Sequence, residues 1–460
     1  VPRVTFLDEL VDGAWGLLPV RRTIRVGVTG LARSGKTALL TSLAANLLAA
    51  GAGLPTLPAL SARLAGRMMS VRLAPADAAD LPRFDERAKL AALAADPPAW
   101  PPPTEGVSLL ALDLDIGRGG LAAALPSRQI RLELLDYPGE RLLDLPLLGR
   151  DFSAWSQSTL LRLEIGAAEK LSAPFRGFVA GLPAGAGEDE TLARTGHELF
   201  RTLVLRLREE LGLTFLQPGR FAMKPLADPP PWMFFFPLPG NSPLAGLLAR
   251  RYDAYREDVR RDLMSPSFGQ VDRLVVLADV LSALHAGADA FGDMRAALGT
   301  VSAALRFGQR SLLPGWLFRL VRLASGIERV AFVATKVDHV ADRQRGNLAA
   351  LMGKLTEIPP GTARTESFAV AAIRCTEDFV WTLEGRPVSA VRGRILGDAR
   401  PARSYPGEVP DRPPDPSFWE HPFLALPAFE PMRPPLGGRG GVPHINLDAL
   451  LAFLLEDVLP

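Results

Sequence analysis

Residues 30–37 read GLARSGKT, after the apolar run TIRVGVT (23–29) and before the helix-forming run ALLTSLAANLL (38–48). The octet satisfies G-x-x-x-x-G-K-[ST] at every fixed position. It sits where a buried strand must hand over to a helix, which is the context that gives the pattern meaning. The glycines allow the backbone to curl so that successive N–H groups converge on an anion at the helix N-terminus. Gly30, Ala32, Arg33, Ser34, Gly35, Lys36, Thr37 and Ala38 are the expected phosphate-binding set. Lys36 would reach the β- and γ-phosphates, and the Thr37 hydroxyl would bind Mg²⁺. An ordinary glycine-containing turn with a solvated lysine is the competing reading, and the strand and helix on either side weigh against it.

Outward from this loop, further short apolar runs at 107–115, 129–135, 273–279, 329–335 and 367–372 read as buried strands. Helical patterns at 36–50, 288–306, 340–356 and 446–458 separate most of them. Strands alternating with helices predict an α/β protein with a mostly parallel sheet covered on both faces. Two long gaps interrupt the alternation. The first carries the helical segment PADAADLPRFDERAKLAALAA (75–95) and DPPAWPPPTEG (96–106). The second carries helical patterns at 151–172, 188–212 and 244–262. The expected division is a discontinuous nucleotide-binding core (20–50, 105–145, 270–380, 440–460). Added to it are a helical insertion at 51–104, a larger one at 146–269, and a Pro/Gly-rich extension at 381–440. VWTLEGRPVSAVRGRI (380–395) reads as a hairpin in that extension.

Composition narrows the class. In 460 residues the formal charge is only +2, so no nucleic-acid footprint is expected. A single cysteine, Cys375, excludes an internal disulfide and a cysteine-rich metal site, and fits a reducing compartment. No uncharged apolar run reaches the roughly 18 residues of a membrane span. The acidic N-terminal stretch VPRVTFLDELVDG lacks signal-peptide character, although a trimmed leader would leave no trace. A cytoplasmic location is expected, with peripheral membrane contact left open.

Two later stretches bear on the base. In IRLELLDYPGE (130–140) a strand ends on Asp136 and continues into D-x-x-G. Asp136 can hold Mg²⁺ through water, and the Gly139 amide can approach a γ-phosphate. In RVAFVATKVDHV (329–340) a strand ends on Thr335-Lys336-Val337-Asp338, which resembles the [NT]-K-x-D of GTPases. An aspartate accepts from guanine N1–H and N2–H₂, while adenine offers neither donor, so Lys336 and Asp338 point to guanine. Asp338 as a plain helix cap is the alternative. SFAVAAIRCTED (367–378) supplies Ala371, Ala372 and Ile373, where a backbone N–H can contact guanine O6. Cys375 beside them is expected to be a small packing residue. Thr104, ahead of the second run, occupies the place of a switch threonine on Mg²⁺ and the γ-phosphate; a threonine in a Pro-rich linker is the other reading.

Taken together, TGLARSGKTALLTSL, LLDYPGERLLDLPLL, QPGRF, VDRLVVLADVLSALHAG, ATKVDHV and the closing PHINLDALLAFLLEDVLP resemble the YcjX family of stress-induced P-loop GTPases. The resemblance spans nearly the whole chain, and its segments outside the GTPase motifs are the specific part. It implies a Ras-like core with helical insertions, GTP and GDP as ligands, Mg²⁺, and a nucleotide-dependent switch in a stress-related process. A partner would be contacted through the insertions.

The residues of hydrolysis are less defined. Glu140 stands where many GTPases have the glutamine that orients water. It reads as a water-positioner, as a surface acid on a mobile loop, or as a pair with Arg141. Arg33 in the loop, and Arg83 and Arg87 in the first insertion, are the candidate arginines, with Glu140, Arg33 and Thr104 as the catalytic set. The competing function is a GTP/GDP-binding regulatory or scaffold protein with negligible hydrolysis. PPPWMFFFPLPG (229–240) reads either as a partner or membrane contact or as aromatics pinning the inserted helices together.

Overall fold

The computed structural model describes residues 22–75, 81–104, 106–119, 126–263, 271–306, 327–356, 363–398, 400–421 and 426–459. The N-terminal stretch read above for signal-peptide character lies outside them. Seven strands form one sheet: β1 (Arg22–Gly30), β2 (Met68–Leu73), β3 (Ser108–Ile116), β4 (Arg128–Asp136), β5 (Arg273–Ala278), β6 (Arg329–Thr335) and β7 (Arg364–Val370). Their order is β2-β3-β4-β1-β5-β6-β7. From β4 to β7 all pairings are parallel, and β2 and β3 add two antiparallel steps at one edge. This is the expected α/β architecture.

The parallel strands are apolar along most of their length because both faces are covered. On one face Val26, Val28, Leu132 and Leu134 pack against Leu39, Leu40, Leu43 and Leu47 of the helix Lys36–Gly51 and against Leu450 and Leu454 of the C-terminal helix. On the other, Val276, Val330 and Phe332 meet Met294, Leu298, Leu348 and Leu351. In-register pairing of Gly30 with Leu277, Ala278 with Ala334 and Thr335 with Val370 brings the strands' C-terminal ends to one edge. The loops that follow all emerge there, where open α/β sheets bind ligands.

β2 is absent from the sequence reading. It is an edge strand with Val71 as its one buried residue, and Met69 points outward at 63% exposure, so no alternation marks it. The helical pattern at 151–172 resolves into two helices, Phe152–Leu163 and Ala168–Ala180. Gly166, at φ 63°, breaks the chain between them. The hairpin at 380–395 forms as β8 (Thr376–Leu383) and β9 (Arg386–Arg394), and β10 (Pro401–Ser404) pairs beside β9.

A third apolar core lies in the residues between β4 and β5. The helix Glu190–Leu211 starts on Asp189, whose carboxylate accepts from the Thr191 and Leu192 amides, and ends at Gly212 in the left-handed region. Its buried stripe, Phe200, Leu203, Val204 and Leu207, recurs at helical spacing. Trp155 stacks on Tyr252 with ring centroids 5.1 Å apart. Phe235 and Phe236 are fully buried in the same core, so the aromatics of PPPWMFFFPLPG join the inserted segments rather than offering a surface. Among the described residues, no helix is long and apolar enough to cross a membrane.

Candidate nucleotide site

At the C-terminal edge of the sheet a cavity of about 1600 Å³ runs from residues 33–39 to Asp338 and Ile373. It is larger than the roughly 300–1,000 Å³ of common ligand pockets.

The loop after β1 forms the floor of one end. Gly35 stands before the helix at φ 86°, and neither a side-chain cap nor an acidic residue serves the helix's first turn. An uncapped N-terminus of a 16-residue helix leaves backbone donors and the positive end of its dipole facing the cavity. The buried Ser34 hydroxyl has no hydrogen-bond partner among the described residues. Lys36 Nζ donates to the Gly30 carbonyl at 3.1 Å, folded over its own loop. These unmet donors and the ammonium fit a phosphate chain. Arg33 is exposed at the rim, at φ 59°, and Ala38 completes the lining.

Thr37, Thr104 and Asp136 converge from three segments. The Thr37 and Thr104 hydroxyl oxygens lie 3.2 Å apart, and the Thr104 amide donates to Thr37 Oγ1 at 3.3 Å. Burial pushes the Asp136 carboxyl up to about 6, while the Lys36 ammonium, the Thr104 hydroxyl and the Lys89 ammonium pull it down. A buried carboxylate with two hydroxyls suits a hard cation such as Mg²⁺. Thr104 is held here by neighbours the sequence reading passed over. Lys89 donates to the Pro102 carbonyl at 3.0 Å, and Trp100 Nε1 donates to the Phe429 carbonyl at 2.8 Å.

Gly139 packs directly on the backbone of Gly30. A Cβ there would come within 1.9 Å of the Gly30 carbonyl oxygen, so a side chain is excluded. The Glu140 side chain is mostly buried, and its nearest cation is Arg208 rather than Arg141. Its Oε1 lies 3.5 Å from Arg208 Nη2, while Arg141 Nη1 donates to Asp262 at 2.6 Å. Arg83 pairs with Glu86 at 3.1 Å, and neither Arg83 nor Arg87 lines the main cavity.

At the other end Asp338 is 2% exposed in a single 3-10 turn after β6. Its Oδ2 accepts from the Cys375 amide at 2.7 Å and from the Cys375 thiol at 3.0 Å. Burial, with Asp338 alongside, pushes that thiol well above its usual range, so it stays a neutral donor. Cys375 is therefore more than a packing residue: it orients the aspartate. The Lys336 ammonium pairs with Asp279, which also caps the helix Val280–Ala286 through the Ser282 amide at 3.0 Å. Sequence reading missed Asp279; its signal was an acid directly after a buried strand, in LADVL. The Ala371 amide is bonded to Ile445 and the Arg374 amide to Pro443. Ala372 and Ile373 form the cavity wall between those anchors.

A profile of the YcjX-like family (DUF463) matches residues 24–459. The chain is 37% identical over 461 residues to a Ras-like GTPase YcjX of Escherichia coli strain K12, covering 96% of this chain and 97% of that one. It is 31% identical over 467 residues to a Ras-like GTPase YcjX of Shewanella oneidensis, covering 95% of each. A match of this extent takes in residues 146–269 as well as 30–37 and 335–338, and the chain belongs to the YcjX-like family.

Proposed function

We propose that this protein binds guanine nucleotide with Mg²⁺ and hydrolyses GTP to GDP and phosphate as a nucleotide-dependent switch. The observation that carries the reading is the pairing, at opposite ends of one cavity, of an uncapped helix N-terminus bearing Lys36 with the buried Asp338 held by Cys375. The phosphate chain would lie on the amides of residues 32–38. Guanine would sit between Asp338, the Lys336 stem and the Ala372–Ile373 backbone. Thr37, Thr104 and Asp136 would hold Mg²⁺, which when bound supplies positive charge against the β- and γ-phosphate oxygens. Gly139, packed on Gly30, would register whether a γ-phosphate is present.

Single-turnover hydrolysis of Mg²⁺·GTP by the full chain is the test. The expected result is one exponential phase on the order of 10⁻³–10⁻² s⁻¹, stopped by chelation of Mg²⁺. Tight GTP binding without conversion over many hours would favour a scaffold that reads the nucleotide without cleaving it.

A further inference from the structure

The acid after D-x-x-G is held by the helical insertion, and that contact bears on hydrolysis. Glu140 follows Gly139 directly, so its side chain projects beside the phosphate loop and lines the same cavity as Lys36, Thr37 and Asp136. A carboxylate there has two faults. It repels the γ-phosphate, and it can accept from the attacking water while offering no proton to the phosphate. The first fault is lessened by a cation on one of its oxygens.

The inserted helix Glu190–Leu211 supplies one. Arg208 Nη1 donates to the Ala222 carbonyl at 2.9 Å, which fixes the guanidinium, and Nη2 faces Glu140 Oε1 at 3.5 Å. Both side chains are mostly buried, so the pair is weakly screened. The other cavity-lining arginines of this region are engaged elsewhere: Arg141 with Asp262, Arg220 with Asp258, Arg201 with the Met223 carbonyl.

The backbone around Glu140 is fixed by the same insertion. A Cβ at Gly219 would meet the Glu140 carbonyl oxygen at 2.0 Å. The Gly219 amide donates to Asp144 at 2.7 Å, and the Tyr255 hydroxyl donates to the other oxygen of that carboxylate at 2.5 Å.

We propose that Arg208 is a positioning residue for hydrolysis: it offsets the charge of Glu140 and turns its free oxygen toward the attacking water. This rests on the GTP-hydrolysing reading above. Glu140 accepts a hydrogen bond from the water whose oxygen bonds to the γ-phosphorus. The bond from that phosphorus to the β–γ bridging oxygen breaks, and the bridging oxygen keeps the electron pair on GDP. One water proton passes to the released phosphate. The hydrolysis rate then depends on the insertion being docked, which makes its helix a built-in activator.

The test compares Arg208→Ala, Arg208→Lys, Glu140→Gln and the double variant Glu140→Gln/Arg208→Ala with wild type. Single-turnover rates at saturating Mg²⁺·GTP and affinity for a fluorescent GDP analogue are measured on the same preparations. Arg208→Ala should lower the rate by about tenfold or more with GDP affinity within about threefold. Arg208→Lys, which keeps the charge, should recover part of the loss. In the Glu140→Gln background, where no carboxylate needs offsetting, loss of Arg208 should change the rate by less than about threefold. Arg208→Gln, which keeps a donor for Ala222, replaces the alanine variant if that one fails to fold. Wild-type rates in Arg208→Ala or Arg208→Gln would overturn the proposal, as would an equal loss in the Glu140→Gln background. Failure of the wild type to bind the GDP analogue would instead strike the guanine-nucleotide reading, so the two failures are distinct.

Discussion

Lys36→Ala should lose GDP and GTP binding by roughly a hundredfold or more, the largest single effect expected of any substitution in the phosphate loop. The ammonium would make charge-assisted bonds to phosphate oxygens at a helix N-terminus whose first turn carries no acidic residue. Losing about 3 kcal/mol or more of such contacts corresponds, at about 1.4 kcal/mol per decade, to two decades or more in Kd. The side chain's partner here, the Gly30 carbonyl, is one it would give up for a phosphate. Its removal should therefore cost the fold little. Thermal unfolding without nucleotide should be close to wild type, while the shift that GDP produces in wild type should vanish. Equal GDP-induced shifts in the variant and the wild type would show that the loop does not hold phosphate.

Asp338→Asn should lower GDP affinity by roughly a hundredfold or more and move the preference toward xanthosine diphosphate. The direction follows from Cys375. Its amide and thiol both donate to Oδ2, so an asparagine must present its oxygen there and turn its NH₂ group to the Oδ1 position. That NH₂ opposes the guanine N1–H and N2–H₂ donors, and it can donate to the C2 carbonyl of xanthine. Titration of each nucleotide against the variant checks this, with circular dichroism as the control for folding. Undiminished GDP binding would contradict the role given to Asp338.

How far the site could be read in advance depended on whether a residue's partner was near it in the chain. Lys36, Thr37, Asp136 and Asp338 follow buried apolar strands with glycine or a helix start alongside, and local pattern alone marks them. Thr104 had no such frame. What fixes it is Lys89 on a helix of the first insertion and Trp100 reaching Phe429, a partner 329 residues away. Asp279 and Cys375 were visible as residues, yet their roles as partners of Lys336 and Asp338 arise only when β5, β6 and β7 lie side by side. The same holds for Arg208. Nothing in a charged helix of the insertion announces that one arginine of several meets Glu140. In the fold, fully buried strands stood out and the edge strand β2 did not, because one buried side chain leaves no period to detect.

On the proposed function, this cavity selects guanine nucleotides through Asp338 while gripping phosphate through residues 30–37. Competition of GDP and ADP against a fluorescent guanine nucleotide, on the full chain with Mg²⁺, tests it most directly. A carboxylate already positioned by Cys375 has two donors to meet at guanine N1 and N2 and none at those positions on adenine, so GDP should displace the probe at concentrations lower by roughly a thousandfold or more. Displacement by GDP and ADP at equal concentrations would contradict the account.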